Sequence, residues 1–330
     1  MKDFSKVKQQ LNPEQLAAVE AIEGPVMVLA GPGTGKTQVV AVRIAEILQR
    51  THISARNVLA LTFTEAGVTA LRSRLESIIG PDAYQATIST FHGFCNEVIA
   101  TFPYLFNLDE ESQQITDLER FLLLEKIVLK LTTLQNLRPT KQPTSHINGI
   151  SQAIKTCKQE AILPDQLRRL AEEELALIEQ EKHTKIEQQR RTSNAHKNLE
   201  LAIIFEQYQK ALVVSQRYDY EDMVSLVVEA LQENEELRLH YQERYQYILV
   251  DEYQDTNNGQ NALVEVLASF FAEPNLFVVG DDKQAIYRFQ GASVANMLHF
   301  TKRYPAMKII TLKKNYRSSP EILTSAQGLM

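Results

Sequence analysis

Apolar residues along this chain follow two rhythms. Short strand-like runs occur at 26–30 (VMVLA), 57–63 (NVLALTF), 86–90 (ATIST), 247–250 (YILV), 276–280 (LFVVG) and 307–312 (MKIITL). The run at 247–250 is continuously apolar, as a central parallel strand covered on both faces should be. Between runs the period turns helical: Val40, Ile44, Ile47 and Leu48 fall on one face after the first, and TEAGVTALRSRL follows the second in the same period. Strand alternating with helix predicts a parallel α/β sheet flanked by helices. From about Thr101 the strand-like runs vanish for over a hundred residues. There, DLERFLLLEKIVLKL and PDQLRRLAEEELALIEQEKHTKIEQQ have the spacing of amphipathic helices, and Pro139 and Pro143, with Thr140, Thr144 and Ser145 around them, mark a loop. The charge run at 172–200 is a solvated helical face or, alternatively, a nucleic-acid contact. An all-helical domain inserted into a sheet domain is the architecture this predicts.

Bulk properties narrow the picture. At 330 residues the chain exceeds one ordinary core. With 35 basic and 41 acidic residues it has no uniformly basic coat, although local charge within a screening length leaves room for a basic groove. Two cysteines, Cys95 and Cys157, make neither a disulfide framework nor a metal cluster, and none of the seven histidines has metal-ligand spacing with another. The N-terminus MKDFSKVKQQLNPEQ lacks an apolar signal core, and no run approaches the roughly 20 apolar residues of a membrane span. A cytoplasmic protein without membrane association is expected.

The chemistry gathers at strand ends. After the first run comes GPGTGKT: Gly31, Pro32, Gly33, Thr34, Gly35, Lys36 and Thr37, between a strand and a helix. That context makes it a phosphate-binding loop, with Ala30 at the place of the usual first glycine. Glycines let backbone N–H groups turn toward one anion, the helix N-terminus adds its positive dipole end, Lys36 reaches the outer phosphates, and Thr37 offers its hydroxyl to Mg²⁺. Upstream, Asn12 can cap a helix opened by Pro13, with Gln15 at the capping-box position; the same amide can instead pair with a donor and an acceptor on adenine. Thr62, Phe63 and Thr64 end the second strand, where open parallel sheets place ligands, and Phe63 either stacks on a base or packs in the core. The run ending at Val250 leads into Asp251 and Glu252, suited to binding Mg²⁺ and to orienting and deprotonating a water. The next ends in Asp281-Asp282, followed by Gln284, Tyr287 and Phe289, where a glutamine can sense phosphate and the rings face either bases or core. The last leads to Tyr316 and Arg317, the latter a partner for phosphate charge.

Together these residues resemble the UvrD/Rep-type superfamily 1 DNA helicases. LNPEQ is similar to that family's adenine-reading glutamine motif, AGPGTGKT to motif I, LTFT to Ia, STFHGF to Ib, VDEYQDTNNGQ to II, VVGDDKQAIYRFQGA to III and LKKNYRSS to IV, in matching order over most of residues 11–320. YDYEDM at 218–223 resembles the segment where such chains return to the first motor domain. The resemblance implies a RecA-like P-loop NTPase sheet, with motor domain 1A from 1–100 and 218–305, a helical domain 1B from 101–217 inserted in it, and the start of domain 2A at 306–330. It implies ATP and Mg²⁺ as cofactors and single-stranded DNA and its junctions with duplex as partners, protein partners being unknown. It further implies that Gln15 reads adenine, Tyr316 stacks on it, Lys36 and Thr37 hold phosphates and metal, Asp251 and Glu252 serve metal and water, Gln284 couples γ-phosphate to DNA, and Arg317 lies near that phosphate. It assigns Thr62, Phe63, Thr64, His92, Tyr287 and Phe289 to the single-strand track.

Departures are visible too. Gln38 stands where the family often has an arginine near the nucleotide, Phe289 and Gln290 replace a tryptophan and an arginine, and Glu65-Ala66 replaces Asn-Lys. The chain stops at Met330, before motifs V and VI, so it is expected to be the N-terminal part of a 3′ to 5′ helicase, weakly active alone. The alternative is a non-translocating, ATP-gated DNA-binding scaffold. A small-molecule kinase or GTPase gives no role to Gln284, Tyr287 or Tyr316.

Overall fold

A computed structural model describes residues 4–106, 113–180, 184–281, 294–319 and 321–322. The chain divides into two compact units, Met1–Val98 with Val227–Met330, and Ile99–Leu226. It passes from one to the other within two helices.

In the first unit the helices are α1 (Phe4–Gln9), α2 (Pro13–Glu20), α3 (Lys36–Thr51), α4 (Glu65–Ile79) and the start of α5 (Phe91–Thr101). The strands are β1 (Val26–Ala30), β2 (Val58–Thr62) and β3 (Thr87–Thr90). The second contains β4 (Gln113–Gln114), α6 (Asp117–Lys130), α7 (Ile147–Gln159), α8 (Pro164–Gln180), α9 (Lys185–Val214) and β5 (Arg217–Tyr218). Helix α10 (Asp222–Glu233) leads back to α11 (Glu235–Arg244), β6 (Tyr247–Val250), α12 (Asn258–Ala268), β7 (Leu276–Gly280), α13 (Val294–Arg303) and β8 (Lys308–Leu312).

The first unit is built on a six-stranded sheet, β3-β2-β6-β7-β1-β8, with every pair parallel. The chain steps from β1 to β2 across two vacant places, later filled by β7 and β6. Loops after β1 and β6 therefore diverge from strands only one place apart, the crevice where α/β sheets put their ligands. All residues of β2, β6 and β7 are buried, which is why those sequences run apolar without alternation. Arg43 of α3 is 1 % exposed, yet its Nη1 donates to the Ala18 carbonyl at 2.6 Å and its guanidinium lies 4.4 Å from the Phe277 ring centroid. Burial draws its pKa down to about 9, so it stays charged at neutral pH and fastens the loop helix to α2 and β7.

Strand β8 pairs with β1 from Val26↔Lys308 to Ala30↔Leu312. Backbone groups on that edge of β1 need a ladder partner, and β8 supplies it, so this sheet extends at least to Leu312.

The second unit packs α6 to α9 around Leu124, Val128, Ile150, Ile154, Phe205 and Tyr208. It is not wholly strandless, because β4 and β5 form a two-residue parallel ladder where the insertion begins and ends. Runs that short carry no period. Beside them sits a buried ionic cluster: Lys158 Nζ is 2.5 Å from Asp219 and 2.7 Å from Asp222, Arg120 reaches Asp219 at 3.0 Å and Glu221 at 3.4 Å, and the Tyr208 hydroxyl donates to Asp219 at 2.9 Å.

Candidate nucleotide site

Between β1 and α3 the chain turns through two glycines with left-handed backbone, Gly33 (φ 76°) and Gly35 (φ 90°). Neither leaves ordinary room for a Cβ. A Cβ on Gly33 would lie 2.7 Å from the Arg317 Cβ, and one on Gly35 would lie 2.9 Å from Gln15 Nε2. At Gly31 the φ is ordinary and nothing lies within 4 Å of a Cβ, so the conformational demand expected there is absent. Thr34 closes the turn, its hydroxyl donating to the Gly31 carbonyl at 2.7 Å. Lys36 then begins α3, whose first N–H groups face a cavity of about 260 Å³ lined by Pro32, Gly33, Gly35, Lys36, Thr37, Gln38, Arg74, Glu252 and Arg317.

The carboxylates arrive from β6. Glu252 Oε2 is 3.0 Å from Lys36 Nζ, an ion pair across 216 residues of sequence. Its backbone is left-handed (φ 51°, ψ 45°), an unfavourable conformation for a glutamate that recurs at functional sites. Gln254 holds it there: fully buried, it donates from Nε2 to Glu252 at 2.8 Å and to Asp255 at 3.0 Å, and its Oε1 accepts the Asp281 N–H at 2.9 Å. One amide thus links the acidic turn to the end of β7. Asp251 is buried, and burial together with the adjacent Glu252 charge pushes its carboxyl up to about 6. Such a pair is short of positive charge.

The Asn315–Ser318 segment docks on the loop from the other side. Asn315 Nδ2 donates to the Pro32 carbonyl at 2.6 Å, the Tyr316 N–H donates to the Gly33 carbonyl at 2.8 Å, and Asn315 Oδ1 accepts from the N–H groups of Arg317 and Ser318. These bonds bring Arg317 into the cavity wall. The Tyr316 ring is half-exposed, and its hydroxyl accepts from Asn12 Nδ2 at 2.9 Å.

Gln15 does what capping requires and retains capacity beyond it. Its Oε1 accepts the Asn12 N–H at 3.1 Å, its N–H donates to Asn12 Oδ1 at 2.8 Å, and Nε2 donates to the Thr34 carbonyl at 2.9 Å. A primary amide has two donors and two lone pairs, so one of each is left after these bonds.

The other expected residues divide. Phe63 is 42 % exposed at the end of β2, which rules out the core-packing alternative. Thr62 is buried, its hydroxyl facing Gly67 in the first turn of α4, and the Thr64 hydroxyl caps that helix by accepting the Gly67 N–H at 3.0 Å. His92 is partly exposed in the first turn of α5. Gln284, Tyr287 and Phe289 lie outside the described residues. Sequence reasoning missed Asn315, Gln254 and Arg74. Asn315 carried a signal, as an Asx residue directly before a turn. Gln254 and Arg74 carried none, because helix and turn period do not say which side chain reaches a distant strand end.

Among the described residues no group of three or more His, Cys, Asp or Glu side chains can hold a metal by itself, and no helix is long and apolar enough to cross a membrane. A divalent ion here has to be completed by a ligand's own oxygens, as Mg²⁺ with nucleotide phosphates is. Thr37 lines the cavity and Asp251 lies close enough to Lys36 for their charges to interact, so their oxygens are the candidates for that role.

The model of the UvrD/REP helicase N-terminal domain matches residues 11–305. The chain is 33% identical over 321 residues to ATP-dependent DNA helicase PcrA of Bacillus subtilis (strain 168), covering 97% of this chain and 39% of that protein. It is 32% identical over 322 residues to PcrA of Staphylococcus epidermidis (strain ATCC 35984), covering 98% and 40%, and 31% identical over 321 residues to PcrA of Staphylococcus aureus (strain Mu50), covering 97% and 40%. The chain therefore spans about 40% of the length of the curated relatives it matches. Because that family model matches residues 11–305, this protein is a member of the UvrD/REP helicase N-terminal domain family.

Proposed function

We propose that this chain forms the first motor domain, with its helical insertion, of an ATP-dependent translocase. In this reading it tracks along single-stranded DNA in the 3′ to 5′ direction and opens duplex at junctions in the cytoplasm. One observation carries it: the Lys36–Glu252 pair at 3.0 Å, which joins the phosphate loop to the acidic end of β6 at one cavity. Lys36 and Arg317 would meet phosphate charge, Gln15 and Tyr316 the adenine, and Thr37 and Asp251 a Mg²⁺ ion, which when bound neutralises developing phosphate charge. Glu252, released from Lys36 when phosphates compete for the ammonium, is the group to orient a water and take its proton at Oε2. Exposed Phe63 suits base stacking, which tolerates any sequence. His92 at the end of β3 lies at the neighbouring strand tip, and Tyr287, Phe289 and Gln284 join the track and its coupling by resemblance.

The test is ATP hydrolysis by the full-length protein with and without single-stranded oligonucleotide. Stimulation by the single strand, lost on Lys36→Ala, is expected. Hydrolysis indifferent to DNA, or undiminished in Lys36→Ala, rejects the reading.

A further inference from the structure

Two helices begin side by side at the edge of the sheet where Phe63 stands, and they begin in the same way. Strands β2 and β3 are in parallel register through Thr62↔Thr90, and each leads into a Thr-x-x-Gly turn, Thr64-Glu65-Ala66-Gly67 and Thr90-Phe91-His92-Gly93. The Thr64 hydroxyl accepts the Gly67 N–H and the Thr90 hydroxyl accepts the Gly93 N–H, both at 3.0 Å. Both glycines press onto the strand tips: a Cβ would lie 2.6 Å from Thr62 Oγ1 at Gly67 and 2.6 Å from Ser89 Oγ at Gly93. One difference separates the two turns. Helix α4 carries a carboxylate in its first turn, and α5 carries none.

That carboxylate, Glu65, is exposed but tethered: its Oε1 accepts from the Thr90 hydroxyl at 3.0 Å, so it reaches from α4 to the tip of β3. The dipole of α4 favours an acid in this turn, which accounts for the residue type. It does not account for the bond to the neighbouring strand end. Elsewhere in the unit Lys8 neutralises Glu20 and Glu46, each at 2.9 Å. Among the described residues no lysine or arginine lies within ion-pair distance of Glu65. Phe63, 42 % exposed, stands two residues earlier. Cα atoms two residues apart lie within about 7 Å of each other, less than the Debye length of about 8 Å at physiological salt. A phosphate beside a base stacked on Phe63 therefore feels this charge.

We propose that Glu65 is a specificity-determining residue of the single-strand track: its carboxylate, tethered to Thr90 across the tips of β2 and β3, repels backbone phosphate there and leaves the strand held at this point by base stacking. This rests on the DNA reading above and adds a consequence to it. Phosphate contacts make binding fall steeply with salt, whereas stacking on a ring needs no counter-charge and tolerates any base. A strand gripped weakly through its phosphates at one point leaves that point readily, which suits a protein that lets go of each nucleotide in order to advance.

The experiment is equilibrium binding of a fluorescent oligothymidylate to the full-length protein, for the wild type, Glu65→Gln, Glu65→Lys and Phe63→Ala, from low salt to about 0.5 M. A glutamine amide oxygen still accepts from the Thr90 hydroxyl, so Glu65→Gln removes the charge and keeps the tether. Binding about fivefold tighter at low salt is expected, the effect of one charge at about 4 Å in water, with a larger gain for Glu65→Lys. Both gains should shrink as salt rises. Affinity unchanged or weakened in Glu65→Gln, or a gain that salt does not diminish, overturns the assignment. Phe63→Ala separates the two ideas: if it weakens binding while neither Glu65 variant strengthens it, only the role of Glu65 falls, and if it leaves binding unchanged, the track reading falls as well. Because the expected result is a gain, a folding defect cannot imitate it.

Discussion

Both units of this protein bury charge, and they treat it oppositely. In the helical unit, Lys158, Arg120 and Lys155 balance Asp219, Asp222 and Glu221 within one cluster, Lys155 reaching Glu221 at 3.0 Å. In the sheet unit, Asp251 is buried beside Glu252, its carboxyl is pushed up to about 6, and Lys36 is committed to Glu252. A satisfied cluster holds a fold together. A cluster short of cations, opening on a cavity, is poised for a ligand that brings one.

The largest effect should come from breaking the closed cluster. Lys158→Ala leaves Asp219 and Asp222 buried without their ammonium, and should destabilise the helical unit by about 3–5 kcal/mol. Hydrogen exchange across α7 and α9 would report it, and unchanged protection would mean that the cluster is not what holds these helices.

A smaller effect is expected where the sheet unit depends on glycine. Gly33→Ala forces a Cβ to within 2.7 Å of Arg317 at a φ of 76°. Backbone strain of about 1–3 kcal/mol should result, with weaker nucleotide binding because the Asn315–Ser318 turn is displaced. Gly31→Ala, which meets nothing within 4 Å, should leave melting and affinity unchanged. Equal damage from both would show that loop entropy rather than this docking contact sets the requirement.

The smallest tests satisfaction at the edge of the helical unit. Glu200 accepts backbone N–H bonds from Gln135, Asn136 and Leu137 and a further bond from Asn136 Nδ2. Burial raises its carboxyl, the four donors outweigh that, and the net pKa lies below the ordinary 4.5. A folded pKa below the unfolded one gives stability that is present above 4.5 and is lost as pH falls through the folded value. Glu200→Gln should therefore lower the urea midpoint at pH 7 by the equivalent of about 1 kcal/mol, allowing for solvent screening. The two midpoints should converge in acid. A gap that persists at low pH would point to shape rather than charge.

Much of the sheet unit could be read directly. Strand-length apolar runs separated by helical period define the alternation of β1, α3, β2 and α4, and a glycine turn at one such junction has few uses besides phosphate binding. The two-residue ladder of β4 and β5 could not be read, since two residues carry no period. Nor could the ionic cluster, whose members are scattered from Arg120 to Asp222 on elements that each look like ordinary charged helices.

Local pattern, then, determined on its own which segments became strands, where the loop turned, and that acids followed β6, because period, glycine and capping act over a few neighbouring residues. Strand order was left to packing: it set β7 between β1 and β6, brought Glu252 to Lys36, laid Asn315 on Pro32 and turned Arg74 toward Gln38. Those contacts join residues tens to hundreds of positions apart, and only the burial of a whole sheet face fixes which distant ends meet.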